Sequence, residues 1–368
     1  MSLTDLATAN ASEAARQMGI CNACRYCEGL CAVFPAMEER RTFGLGDVDY
    51  LANLCHNCGA CYHDCQYAPP HEFAVSVPVA FADLREESYA RYAWPGALAG
   101  LFERNGLIIA VLTALSVAVF IAGFVAFSDP GALFTIHTGE GAFYALMPHN
   151  TMVALFGSVF VYALVAMAMS LRSFWRATGG GSVSLAALRE AAASAARLRN
   201  LDGGGIGCMN DDDTPTDNRR FYHHATFYGF LLCLASTSLG TVYHYAFGWE
   251  APYPVTSPVV ILGTLGGIGL LIGPAGLYHA KRTRATELKA ASPGGMDVAF
   301  LAMLFLTSLT GLALLVLRET AAMNTLLAIH LGVVFALFLT MPYGKFVHGL
   351  YRFAALVRHA TEQKADGS

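Results

Sequence analysis

The sequence predicts a mainly α protein in two parts, a cysteine-rich head followed by a six-helix membrane bundle. Three observations predict it. Eight of the 10 cysteines fall before residue 66, in two copies of one spacing. From residue 107 the chain carries six apolar stretches, and a helix of about 20 residues crosses a hydrocarbon core. Histidines recur near both ends of two of those stretches.

Only 14% of the 368 residues are charged and the mean hydropathy is +0.45, where a soluble domain carries about 25% charged residues. The deficit lies after residue 106. The expected parts are therefore a head at 1–75, a linker at 76–106, a membrane domain at 107–348 and a cytoplasmic tail at 349–368. The net charge of −4 says little about partners, and no nucleic-acid partner is expected.

Cys21, Cys24, Cys27 and Cys31 read C-x2-C-x2-C-x3-C, and Cys55, Cys58, Cys61 and Cys65 repeat it. This is the bacterial ferredoxin run that holds two [4Fe–4S] clusters. Zinc sites instead separate two cysteine pairs by a longer loop. In two-cluster ferredoxins the fourth cysteine of each run ligates the other cluster. The expected sets are Cys21, Cys24, Cys27 and Cys65, and Cys55, Cys58, Cys61 and Cys31. Ala32 and Gln66 stand where a proline usually follows the fourth cysteine; Pro35 and Pro69 come slightly later. Cys208 and Cys233 lie outside both runs and are read as ordinary small residues. Thiolate ligands call for a reducing compartment. The N-terminus has no basic region followed by an apolar stretch, so a cytosolic head is expected.

A short helix over 10–20 leads into the first run. Pro69, Pro70, Pro78 and Pro95 punctuate the linker, with one helix near Val79–Tyr89. The six spans are expected at 107–127, 149–171, 222–247, 255–279, 296–317 and 324–348. In lipid they must be helices, since each backbone group needs an internal partner. The cytoplasmic loop 172–221 holds an alanine-rich stretch, Ser184–Leu201, suited to lying amphipathically on the membrane. All but Arg318 of the 23 lysines and arginines fall on one side of this topology. By the positive-inside rule both termini are cytoplasmic in a bacterial-type inner membrane.

His330 and His348 are 18 residues apart, five turns of one helix and about 27 Å along its axis. On the third span, His244 lies about 60° from His223 in helical phase but about 160° from His224. The third and sixth spans run antiparallel. His244 and His330 then share the outer level, and His223, or His224, shares the inner level with His348. Histidines from two helices at two levels suit one or two b-type haems. Gly263, Gly266, Gly267 and Gly269 permit close helix packing or leave room for a macrocycle. Arg352 and Lys345 suit haem propionates or mark the inner interface. His56, His63 and His71 are read as surface or supporting residues among the cysteines.

The stretch HLGVVFALFLTMPYGKFVH (330–348) resembles the final helix of the nitrate reductase gamma-subunit class of dihaem cytochromes. Both cysteine runs, FYHHATFYGFLLC (221–233), TVYHYAFGWEAPYP (241–254), GTLGGIGLLIGPAGL (263–277) and HLGVVFALFLTMPYGKFVHGLYRFAAL (330–356) resemble the tricarballylate (citrate) utilisation protein B family. That resemblance implies an electron-transfer partner that reoxidises an FAD-dependent dehydrogenase and reduces the membrane quinone. A similar module is fused to a flavoprotein in an aerobic cobalamin-synthesis protein, so the substrate is not legible from this subunit.

The expected architecture is thus a ferredoxin-like two-[4Fe–4S] head on a six-helix transmembrane haem b bundle, with no catalytic acid, base or nucleophile of its own. The alternatives are a heterodisulfide- or nitrate-reductase-type module with another soluble partner, or a membrane anchor or redox sensor.

Overall fold

The computed structural model describes residues 8–127, 134–205, 207–210, 214–289 and 295–366. The head is built from α1 (Ala9–Cys24), α2 (Val33–Glu38), α3 (Leu45–Leu54), α4 (Ala60–His63) and α5 (Val77–Arg91). The Thr8 hydroxyl caps α1 by accepting from the Ala11 amide. Arg25, at φ 55, turns the chain out of α1 and into the remainder of the first run. Ala11, Ala14, Met18, Val48, Leu51, Phe81 and Leu84 close the core. The helix in the expected linker therefore packs into the head, on α1 and α3. Buried Asp49 joins α3 to α5 by accepting from Arg91 and the Tyr92 hydroxyl. The described part of the head contains helices and turns and no strand, so the ferredoxin spacing sits on an all-helical scaffold.

Among the described residues six helices are long and apolar enough to cross a membrane: α6 (Asn105–Phe127), α7 (His149–Ala177), α9 (Asn218–Phe247), α10 (Pro258–Arg282), α11 (Gly295–Leu317) and the segment Met323–Tyr343. They match the expected spans in number and order. On α6, Leu107, Val111, Leu115 and Val119 recur every four residues and stay exposed, as a lipid-facing stripe does. The glycines of α10 serve close packing. A Cβ on Gly266 would lie 2.7 Å from the Gly229 carbonyl oxygen, and one on Gly269 2.8 Å from that of Ala225. The seam between α9 and α10 thus leaves no space for a side chain at either position. A two-residue β pairing, Cys208–Met209 with Pro215–Thr216, precedes α9.

The last span departs from expectation. A helix over 324–348 is expected; α12 (Met323–Thr340) instead ends in a 3-10 turn at Met341–Tyr343. Pro342 cannot donate to the preceding turn, and Gly344 is extended (φ −146, ψ −168). A new helix, α13 (Val347–Asp366), then begins. His330 and His348 consequently lie on different helices, and the five-turn phase argument does not join them.

The residues expected as a tail become the clamp between the two parts. Ala355, Leu356 and Val357 of α13 enter the head's core. Arg40 pairs with Glu362 at 2.5 Å, and the Tyr50 hydroxyl donates to the same carboxylate at 3.0 Å. The alanine-rich stretch forms α8 (Leu185–Arg197), which packs against α13. Its buried face is Ala187, Ala191 and Ser194, small enough to bring two helices close. Head, α8 and α13 therefore gather at one end of the bundle.

Candidate electron-transfer site

The two cysteine runs exchange their last members. Burial first, then the Cys65, Cys27 and Cys24 sulfurs, push the Cys21 thiol up to about 12. Burial and then Cys65 push Cys27 up to about 11. Cys31 rises through burial and then Cys55 and Cys58; Cys61 rises through burial and then Cys31, Cys58 and Cys55. Cys65 thus neighbours the first run, and Cys31 chiefly the second, with Cys27 also near it. Cys31, Cys55, Cys58 and Cys61 also line one cavity, together with His56 and Asn57. Among the described residues no three His, Cys, Asp or Glu side chains close tightly enough on one point for a single metal ion. The four thiols ring a space instead. Crowded thiols resist ionisation, and a cationic iron core relieves that resistance because it binds thiolate. All-thiol donor sets of this kind suit iron–sulfur clusters.

The second set faces the bundle. His56, between Cys55 and Cys58, is 5% exposed and its Nδ1 lies 2.9 Å from the Leu54 carbonyl oxygen. Burial first, then the Arg352 charge, hold His56 well below the usual imidazole range, so it stays neutral; His223 is also among its charge neighbours. Arg352 of α13 donates to the Cys55 carbonyl at 2.9 Å. His348 lies four residues before Arg352, about 6 Å along the helix and on the same face. Its Nδ1 is bonded to the Lys345 carbonyl, which leaves Nε2 as the lone-pair nitrogen, the arrangement typical of a ligating histidine. Burial, followed by Arg352 and Lys345, keeps His348 well below its ordinary range and therefore neutral.

His223 comes from α9 to meet it. The His223 and His348 ring centres are 6.2 Å apart. Two metal–imidazole bonds of about 2 Å, with about 1.1 Å from each nitrogen to its ring centre, span about the same distance. His223 Nδ1 is buried without a hydrogen-bond partner, which a buried polar atom tolerates poorly. That spacing is the one two imidazoles on a single iron would have, so the inner pair would suit a haem. His224 turns instead toward Tyr228, with ring centres 5.7 Å apart.

One family model, Citrate utilization protein B, matches residues 101–368, and a second, the Citrate utilization protein B Fer4-like domain, matches 14–91. A Citrate utilization protein B of Escherichia coli is 50% identical over 355 residues, covering 96% of this chain and 93% of that protein. The chain belongs to the citrate utilization protein B family. No solved structure matches it.

The Fer4-like match extends through α5 of this family member, in line with the packing of that helix into the head. At the outer level the structure does not bring His244 and His330 together. His244 stacks on His149 with ring centres 3.5 Å apart, too close to admit an iron between them. His330 Nδ1 lies 2.9 Å from the Thr310 hydroxyl, and the ring rests over Gly311. His244 and His330 thus have separate partners in this structure.

Several residues at this junction carry more than their sequence context indicated. His56 is a buried contact and not a surface residue. Arg352 holds the Cys55 peptide, and Lys345 pairs with Asp297 at 2.7 Å; these contacts take the place expected for propionates. Arg85, Arg219 and Arg284 also donate to residues 52–57. Arg85 stands among Asp83, Glu86 and Glu87 in the sequence, so no local signal marked any of the three. Burial and then Arg219 pull Arg284 down to about 9, and burial and then Arg85 pull Arg352 down to about 10, so both remain charged at neutral pH. Cys208 is buried against Cys58 and donates to the Leu201 carbonyl.

Proposed function

We propose that this chain is the membrane electron-transfer subunit of a tricarballylate- or citrate-type flavoprotein dehydrogenase system. It takes electrons from the FAD-dependent subunit and delivers them through two [4Fe–4S] clusters and haem b to the quinone pool. The observation that carries this reading is the junction. One arginine ties the peptide of a cluster-ligand cysteine to the helix that presents His348 opposite His223.

Cys21, Cys24, Cys27 and Cys65 would hold one cluster, Cys31, Cys55, Cys58 and Cys61 the other, and His223 with His348 a haem. When bound, these groups supply one-electron chemistry whose potentials the protein sets through charge, hydrogen bonds and exposure. The first set borders solvent beside exposed Tyr26 and is the natural face for a soluble donor. The second set packs beneath Leu201 and Cys208 through Cys58, and its Cys55 is buried. Neutral His56 keeps an uncharged, buried contact between that set and His223. The end bearing the head and α13 belongs on the cytoplasmic side, by the distribution of basic residues.

The test is reconstitution with a flavoprotein dehydrogenase of this class in vesicles that contain a quinone. Substrate-driven quinone reduction is expected to require this chain. Equal turnover with the flavoprotein alone would assign the chain to anchoring or sensing.

A further inference from the structure

Four arginines from four separate parts of the chain converge on the peptide that carries the second cysteine run. Arg85 of α5 donates to the Ala52 and Cys55 carbonyls at 2.9 and 2.8 Å. Arg352 of α13 donates to the Cys55 carbonyl at 2.9 Å. Arg284, in the segment after α10, donates to the Asn57 carbonyl and side-chain oxygen, each at 2.9 Å. Arg219 of α9 donates to the Asn57 carbonyl. Among the described residues, none of the four has a carboxylate within ion-pair distance.

The first set has a different environment. Asp64 is a charge neighbour of Cys27. Its adjacent cation, Arg25, is half-exposed and faces Glu38 at 3.9 Å. Gln66 contributes a neutral amide 3.7 Å from the Cys24 sulfur. Solvent screens the Arg25 charge, whereas in the second set Cys55 is buried and Arg85 is 5% exposed, so charge there acts at lower dielectric. A four-thiolate cluster is anionic and gains one more negative charge on reduction. Nearby positive charge therefore favours the reduced form and raises the potential.

We propose that Arg85, Arg219, Arg284 and Arg352 form a cationic cage that makes the Cys31–Cys55–Cys58–Cys61 site the higher-potential one of the two. This rests on the two-cluster reading given above. An electron supplied by the reduced flavin of the partner leaves the first site, which is oxidised by one electron. The second site is reduced by one and holds that electron beside His56, His223 and His348. The cage gives the pathway its direction from the solvent face toward the membrane.

The test is an anaerobic redox titration of the full-length protein in detergent, followed by electron paramagnetic resonance, with iron and acid-labile sulfide measured on each sample. Two one-electron midpoints are expected in the natural protein, and the higher should belong to the signal lost in Cys58→Ser. Arg284→Gln should lower that midpoint alone by enough to change the reduced-to-oxidised ratio at fixed potential about tenfold, or about 59 mV for one electron. Arg284→Lys should restore most of it. Arg219→Gln, nearer the rim, provides a second measurement if Arg284→Gln fails to assemble. Arg25→Gln should leave the upper midpoint in place. An unmoved upper midpoint with full iron and sulfide in Arg284→Gln or Arg219→Gln overturns the proposal. Absence of sulfide in the natural protein overturns the cluster reading itself, and the cage with it.

Discussion

Replacing His348 by alanine is expected to abolish the low-spin b-type haem spectrum of purified membranes, and His223→Ala is expected to do the same. The reason is geometric. These two rings come from separate helices and stand 6.2 Å apart, so in the proposed reading each would be a ligand of the same iron. Loss of either leaves a five-coordinate or empty site. His224→Ala should keep the spectrum, because His224 faces Tyr228. The outer histidines provide the contrast. His244→Ala and His330→Ala should leave the inner haem signal intact, since neither ring lies between His223 and His348 in this structure. Reduced-minus-oxidised difference spectra with a haem assay decide the matter. A normal spectrum in His348→Ala, with loss in His330→Ala and His244→Ala, would move the haem to the outer level.

The second large effect belongs to the fourth cysteines. Cys65→Ser should bring non-haem iron from about eight to about four atoms per chain, with sulfide falling in step. The surviving paramagnetic signal should match the one left by Cys21→Ser, because Cys65 stands among the first run. Cys31→Ser should leave the opposite signal, the one that Cys55→Ser leaves. If Cys65→Ser instead resembled Cys55→Ser, each run would hold its own cluster and the exchange seen in the thiol neighbours would have no ligand meaning.

The parts of this architecture that were legible in the sequence are those fixed by local rules. Hydropathy located all six spans, because backbone in lipid has no alternative to helix. The three-residue spacing marked both cysteine runs, which the Fer4-like match spans. The helical phase of α9 separated His223 from His224, since a single unbroken helix carries both. What escaped depends on tertiary packing. The break after Thr340 had a signal in Pro342 and Gly344, yet an apolar run of this kind also suits a continuous span. The docking of α13 and α8 rests on small residues, Ala355 and Ala191 among them, whose value appears only when a partner surface is close. The four arginines lie between positions 85 and 352 and meet only in the folded chain. His244 finds His149 because α7 begins beside it at the outer end, a neighbour relation that phase on α9 cannot supply. The glycines of α10 were open to two uses, and their contacts with the α9 backbone assign them to packing.

In the proposed pathway electrons cross from the head to the bundle at the Cys55–Arg352–His348 junction. This crossing is tested most directly by rapid mixing of the anaerobic, oxidised full-length protein with a soluble flavin hydroquinone while cluster bleaching and haem reduction are followed together. The account predicts that the clusters bleach first and that haem reduction follows, whereas in Cys31→Ser, which lacks the second cluster, the remaining cluster bleaches and the haem lags far behind. Haem reduction in Cys31→Ser at the rate of the natural protein would contradict it.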